Sequence, residues 1–219
     1  SRGTGAATIE VLADSARATA AVRIEPAVAG VRLEQDSVRL SVLGDTAHLV
    51  AKVLDRLGNV VPDALITWHA RDSTVARVDA AGVVIARSNG VSAIVATSRG
   101  QTDSVMVRVV QEVSAVTITA GRDLFEIGDT VRLVTEARDA GGTAVRSFST
   151  AWTSARPDIA TVDSSGLVLG VAAGRVTIRA AARATTPGAE RVVTEEMELE
   201  VVAPSGVYIT GITPARLRP

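Results

Sequence analysis

The residues able to do chemistry in this chain are few. His48 and His69 are its whole complement of imidazole, and it contains no cysteine. The missing thiols remove thiol catalysis, thiolate metal sites and disulfides together. Two histidines leave almost no room for a general-base scheme. His48 falls on the outward face of a predicted strand, and 84 positions later Arg132 stands in its place. His69 follows Trp68 where Thr153 follows Trp152. No Ser-His-Asp constellation, phosphate-binding glycine loop or His-Glu-x-x-His motif occurs, so the sequence points away from an enzyme.

The acids are more regular. Asp45 and Asp129 fall in Gly-Asp-Thr turns, Asp55 and Asp139 in the turn that follows, and Asp79 and Asp163 before a later one. Calcium takes about six to eight oxygens converging on one point, which loops at a joint between domains can supply. Asp55, Asp79, Asp139 and Asp163 are therefore the calcium candidates. No Asp-x-Asp-x-Asp cluster gathers them, and an Asp in a turn is also explained by bonding backbone N–H groups two residues on. The expectation is turn capping and no cofactor. Trp68 and Trp152 could stack on sugars, but one per repeat at one strand position suits core anchoring. Glu196, Glu198 and Glu200 alternate with Met197, Leu199 and Val201, giving a strand with an acidic solvent face that Arg175 and Arg179 on a neighbouring strand can meet.

The surrounding composition favours strands. Of 219 residues 47% are hydrophobic and 2% aromatic, with a mean hydropathy of +0.27. Valine-rich, β-branched composition fits pleated, half-buried strands. The net charge of -1 argues against general attraction to nucleic acid or anionic membrane. No apolar run nears the roughly 18 residues needed to cross a bilayer. Ser1 need not be a native start, so the lack of a signal peptide is uninformative.

An internal repeat sets the organisation. Gly44-Asp45-Thr46 returns as Gly128-Asp129-Thr130, Trp68 as Trp152, Gly82 as Gly166, Gly90 as Gly174 and Ile94 as Ile178, every pair 84 apart. Val75-Ala76-Arg77-Val78-Asp79 returns as Ile159-Ala160-Thr161-Val162-Asp163 in the same register. A second series, 85 apart, links Gly5 to Gly90, Ile9 to Ile94, Val22 to Val107 and Val31 to Val116. Within each copy the period is 2, as in strands with one buried face. Ala47, Leu49, Ala51 and Val53 alternate with Thr46, His48, Val50 and Lys52; Val131, Leu133, Thr135 and Ala137 alternate with Arg132, Val134 and Glu136. The expected core holds Leu49, Leu133, Trp68, Trp152, Val78, Val162, Ile94 and Ile178. Gly44, Gly128, Gly82, Gly166, Gly90 and Gly174 are expected turn positions. Six or seven short strands per copy, without an amphipathic helix, predict an all-β fold of tandem immunoglobulin-like β-sandwiches without a disulfide.

These motifs resemble the bacterial Ig-like group 2 family of intimin-like and other bacterial surface proteins. The shared pattern is the opening Val-x-Leu, the Gly-Asp-Thr, a glycine-containing turn, the Trp, Val-Ala-x-Val-Asp-x-x-Gly, and Gly-x-x-x-Ile. It covers nearly all of residues 31–112 and 113–203, and departs from the pattern in a longer final hairpin around Ala182 to Arg191. The resemblance implies extracellular tandem arrays. Residues 1–30 then read as the last strands of a preceding repeat, and 204–219 as a linker and first strand of a following domain. The chain is expected to be a piece of a longer array, with neighbouring repeats of the same chain, and other envelope or surface proteins, as partners. Two functions follow: a structural spacer at a bacterial surface, secreted or in the envelope, or a protein- or carbohydrate-binding adhesin or accessory module using loops or sheet edges.

Overall fold

The computed structural model describes residues 5–14, 16–24 and 27–205, and every regular element among them is a β-strand. The chain divides into two compact units, Ser1–Gln111 and Glu112–Pro219. The segment Val207-Tyr208-Ile209 and the run from Pro214 to Pro219 lie outside the described residues.

The first unit opens with an antiparallel hairpin, β1 (Gly5–Ala13) and β2 (Ala16–Ile24). Then come β3 (Val28–Leu33), β4 (Ser37–Leu40), β5 (Thr46–His48), β6 (Ala51–Asp55) and β7 (Thr67–Ala70). The unit closes with β8 (Ala76–Val78), β9 (Val83–Ala86), β10 (Gly90–Ser98) and β11 (Gln101–Val109). One sheet runs β4-β11-β10-β7; facing it are β3-β6 and β5-β9-β8. Alternation along these strands sends Ala76, Val84, Ile94, Ala96, Val105 and Val107 into one core, joined by Leu49 from the link between β5 and β6.

The second unit contains β12 (Ala115–Ala120), β13 (Leu124–Glu126), β14 (Thr130–Arg138) and β15 (Phe148–Ser154). It continues with β16 (Ala160–Val162), β17 (Leu167–Gly170), β18 (Gly174–Ala184) and β19 (Val192–Val202). Its sheets are β12-β14-β17-β16 and β13-β19-β18-β15. Phe125, Leu133, Val168, Ile178 and Leu199, drawn from both sheets, form the core between them.

Two features differ from the strand count and continuity expected above. The opening strand of each repeat splits, so that β12 joins one sheet and β13, three residues after Gly121, joins the other. The strand predicted across Thr46 to Val53 is also interrupted in the first unit. At the break Glu34 N–H donates to Val50 O at 3.0 Å, and the Gln35 side-chain oxygen accepts from Val50 N–H at 3.1 Å. A side-chain amide thus stands where the second unit has an unbroken β14.

The β1–β2 hairpin that opens the first unit and the β10–β11 hairpin that closes it share one register. Gly5 pairs with Ile24 and Ala13 with Ala16, as Gly90 pairs with Val109 and Ser98 with Gln101. Their turns match too: Asp14 has φ 48° and Arg99 φ 46°, a left-handed conformation that two-residue hairpins require.

Candidate functional site

The four candidate aspartates share one local geometry. Asp55 Oδ1 accepts from the N–H of Leu57 at 2.8 Å and of Asn59 at 2.9 Å. Asp79 Oδ1 accepts from Ala81 and Val83, both at 2.9 Å. Asp139 Oδ1 takes Gly141 at 3.0 Å and Thr143 at 2.9 Å, and Asp163 Oδ1 takes Ser165 at 2.8 Å and Leu167 at 2.9 Å. Each carboxylate thus ties down the amides two and four residues on, which is how an Asx side chain shapes a turn. The Asn59 backbone N–H, and then its side-chain amide, hold the Asp55 carboxyl below its ordinary pKa. For Asp163 the Leu167 N–H does the most, followed by the Ser165 hydroxyl. The four acids sit in four separate turns. Among the described residues no group of three or more His, Asp or Glu side chains could hold a metal ion.

The tryptophans flank the cores. Trp68 on β7 and Trp152 on β15 are half-buried and pack against the buried clusters. Leu49, Leu133, Ile94 and Ile178 are almost wholly buried, while Val78 and Val162 are half-buried at the margin. Two of the glycine pairs are fixed by these neighbours rather than by the turn alone. A Cβ on Gly82 would meet Trp68 Cζ2 at 2.9 Å, and one on Gly166 would meet Trp152 Cε2 at 3.0 Å. Likewise a Cβ on Gly90 would meet Val75 Cγ2 at 2.7 Å, and one on Gly174 would meet Ile159 Cδ1 at 2.9 Å. Gly44 and Gly128 have only the positive φ to account for them, with open space around.

The histidines stand apart, on β5 and β7, in different sheets. Both are exposed, and His48 Nε2 lies 3.0 Å from Ala81 O. His69 and Arg71 border a shallow depression of about 600 Å³ on the outward face of the β4-β11-β10-β7 sheet, with Val95 and Thr97. The acidic strand is β19. Across its outward face Arg179 meets Glu196 at 2.6 Å, and Arg175 meets Glu198 at 3.2 Å and Glu200 at 3.4 Å. Such exposed pairs contribute little stability and are screened by salt.

Some contacts were not legible in the sequence. Asn89 belongs to a turn, yet its side-chain oxygen accepts the Gln111 N–H at 2.6 Å and Gln111 is buried. Glu126 accepts both the N–H and the hydroxyl of Ser205, at 3.1 and 2.6 Å, and the hydroxyl bond is the main cause of its lowered pKa. Neither partner is near in sequence, so no periodicity signals them.

Comparison with known proteins places the second unit. Residues 112–193 match the bacterial Ig-like domain (group 2). With the all-β, helix-free architecture and the absence of cysteine, the fold is immunoglobulin-like and disulfide-free. The first unit is tied to the group 2 domain by the 84-residue register and the repeated Trp–Gly and Asp–turn geometry. No curated protein matches the sequence. Among solved structures, the Escherichia coli adhesin FdeC is 16% identical, with a TM-score of 0.43, 91% of this chain covered and 74% of that one. The Yersinia pseudotuberculosis adhesin InvE is 14% identical, with a TM-score of 0.40, 77% of this chain and 57% of that one. Domains 4–9 of the surface layer protein SbsC are 16% identical, with a TM-score of 0.36 and 92% of this chain covered. The chain spans 36% of that SbsC structure. At these identities and scores the likenesses bear on neither partner nor activity. No helix among the described residues is long and apolar enough to cross a membrane.

Proposed function

We propose that the chain is a non-catalytic, tension-bearing spacer in a bacterial surface, secreted or envelope-associated protein. The observation that carries this reading is the pairing of first and last strands within each repeat. In the first unit β4 runs parallel to β11, Ser37 to Leu40 beside Met106 to Val109. In the second β13 runs parallel to β19, Leu124 to Glu126 beside Glu200 to Val202. Bonds from Val110 N–H to Leu40 O and from Ile127 N–H to Val202 O, both 2.9 Å, extend these ladders. Pulling a repeat by its two ends drags such neighbours past each other. Their bonds then load together in shear instead of opening one at a time. The group 2 match and the resemblance to repeats of bacterial surface proteins support the setting.

Single-molecule stretching of the chain tests it. The expected result is a separate, high-force unfolding event for each unit. Val38→Pro, which deletes a donor in β4, should lower the force of one event only. Smooth extension without force peaks would sink the reading.

A second reading, a binding module of an adhesin or accessory type, is favoured by the β1–β2 hairpin. Its Ile9, Val11 and Leu12 side chains are 52%, 59% and 65% exposed. An isolated hairpin is marginal in water, so this one calls for a surface to lie against, either a partner or the rest of the repeat whose last strands it is read as. Amide exchange in the hairpin as fast as in an unfolded peptide, with and without other envelope proteins, would count against it.

A further inference from the structure

The strand β15 closes one sheet of the second unit, last in the order β13-β19-β18-β15, and its outer edge is open. Its phase against β18 is fixed at both ends. Ala155 N–H donates to Thr177 O at 3.0 Å, and Thr185 N–H donates to Ser147 O at 2.9 Å. In an antiparallel ladder bonded and non-bonded pairs alternate. Residues 147, 149, 151, 153 and 155 therefore spend their backbone groups on β18. The N–H and C=O of Phe148, Thr150 and Trp152 point the other way, along the free edge.

The same three residues turn half-buried side chains inward. There they line a groove of about 350 Å³ between the two sheets, together with Arg132, Thr135 and Ser165. Thr150 Oγ1 and Thr135 Oγ1, 2.9 Å apart, bridge its floor. Natural sheets guard their edges with charge, proline, bulges or brevity. The run Phe-Ser-Thr-Ala-Trp-Thr-Ser has none of these: it carries no charge and no proline, and its seven residues pair with β18 without a bulge. The first unit does guard this edge. Its β7 has four residues, and Pro62 and Asp63, the latter at φ 56°, come just before it. The extra length of β15 comes from the longer β18–β19 hairpin, which pairs as far as Phe148 with Ala184.

We propose that the β15 edge is a strand-addition site for an extended segment of another polypeptide. A peptide backbone is the chemistry that can answer donors and acceptors repeating at every second residue. In such a segment, alternate side chains enter the groove beside Phe148 and Trp152, where small or apolar groups fit. The intervening ones lie on the outward face beside Arg183, which pairs across the sheet with Ser149. Arg183 is exposed, and no ion pair among the described residues holds it, so acidic side chains suit those positions. This site does not depend on the spacer reading, and its failure would leave that reading intact.

The test uses amide exchange on the full chain, with a mixture of capped peptides as long as β15 that alternate Val, Leu or Phe with Thr or Glu. In the free chain the Phe148, Thr150 and Trp152 amides should exchange rapidly while those of Ala151 and Thr153 are protected. With peptide, the three edge amides should slow by about tenfold or more. N-methylating every second peptide residue should abolish the protection in one phase and spare it in the other, a readout that needs no change to the protein. Thr150→Pro, which removes an edge donor outside the β18 ladder, should abolish it too. The proposal is overturned by edge amides already protected in the free chain, or by no slowing with any peptide. Indifference to methylation phase, or a doubled mass showing a second copy on the edge, overturns it equally.

Discussion

Gly82 lies beneath the indole of Trp68, where a Cβ would stand 2.9 Å from Cζ2 and 2.8 Å from the Leu49 carbonyl oxygen. Gly166 holds the same relation to Trp152 and to Leu133 O. Both glycines also have positive φ, 82° and 81°. Gly44, at φ 85°, has nothing within 4 Å of its missing Cβ. Gly44→Ala should therefore cost only the left-handed strain of about 1–2 kcal/mol. Gly82→Ala adds an overpacking penalty, for a total of about 3 kcal/mol or more. Urea unfolding of the two variants compares them directly; equal losses would show that the indole contact is immaterial.

Ser98 ends β10 with its hydroxyl buried and without a hydrogen-bond partner. The second repeat has a fully buried Ala182 at the matching position, 84 residues on. An unsatisfied buried hydroxyl is unfavourable, so Ser98→Ala should raise the stability of the first unit by about 1 kcal/mol. A drop in stability would mean that the hydroxyl has a partner in solution.

The turn aspartates predict the acid behaviour. Backbone N–H groups lower the pKa of Asp55 and Asp163 in the folded chain. A depressed folded pKa gives stability above the unfolded value, about 3.9, and that stability is lost as pH falls through the folded value below it. Tm should stay level from neutral pH to about pH 4 and then fall. Asp163→Ala should melt lower at neutral pH and show a shallower acid decline. An unchanged Tm and acid slope in that variant would remove the turn carboxylate from the account.

Calcium should make no difference. Each candidate carboxylate already has one oxygen occupied by two amides at 2.8 to 3.0 Å, and Asp139 is itself 3% exposed. Melting curves in millimolar calcium and in chelator should superimpose. A calcium-dependent rise in Tm would show that loops from more than one turn converge on an ion.

The sandwich was legible in the sequence because its constraints are local and repeated. Alternation placed Leu49, Leu133, Ile94 and Ile178 on inward faces, and the Asp-led turns announced themselves by type and spacing. Register at distance was not legible. The split of β12 from β13 depends on which sheet each half meets, and the break beside Val50 depends on the reach of one Gln35 side chain. The edge site was half visible: the lengthened hairpin stood out as a departure. That it lengthens β15, and turns the backbone of Phe148, Thr150 and Trp152 outward, follows only from the ladder phase.

The identical pairing of the β1–β2 and β10–β11 hairpins has a genetic consequence. A misaligned crossover displaced by one repeat, joining sequence before Gly5 to sequence after Gly90, would hand the incoming segment a hairpin with the register it had before, Gly5 opposite Ile24 becoming Gly90 opposite Val109. Lengthening or shortening the gene by one module at this seam therefore leaves strand partners unchanged, whereas an exchange into the longer β18–β19 hairpin, where Gly174 lies opposite Val201, would not.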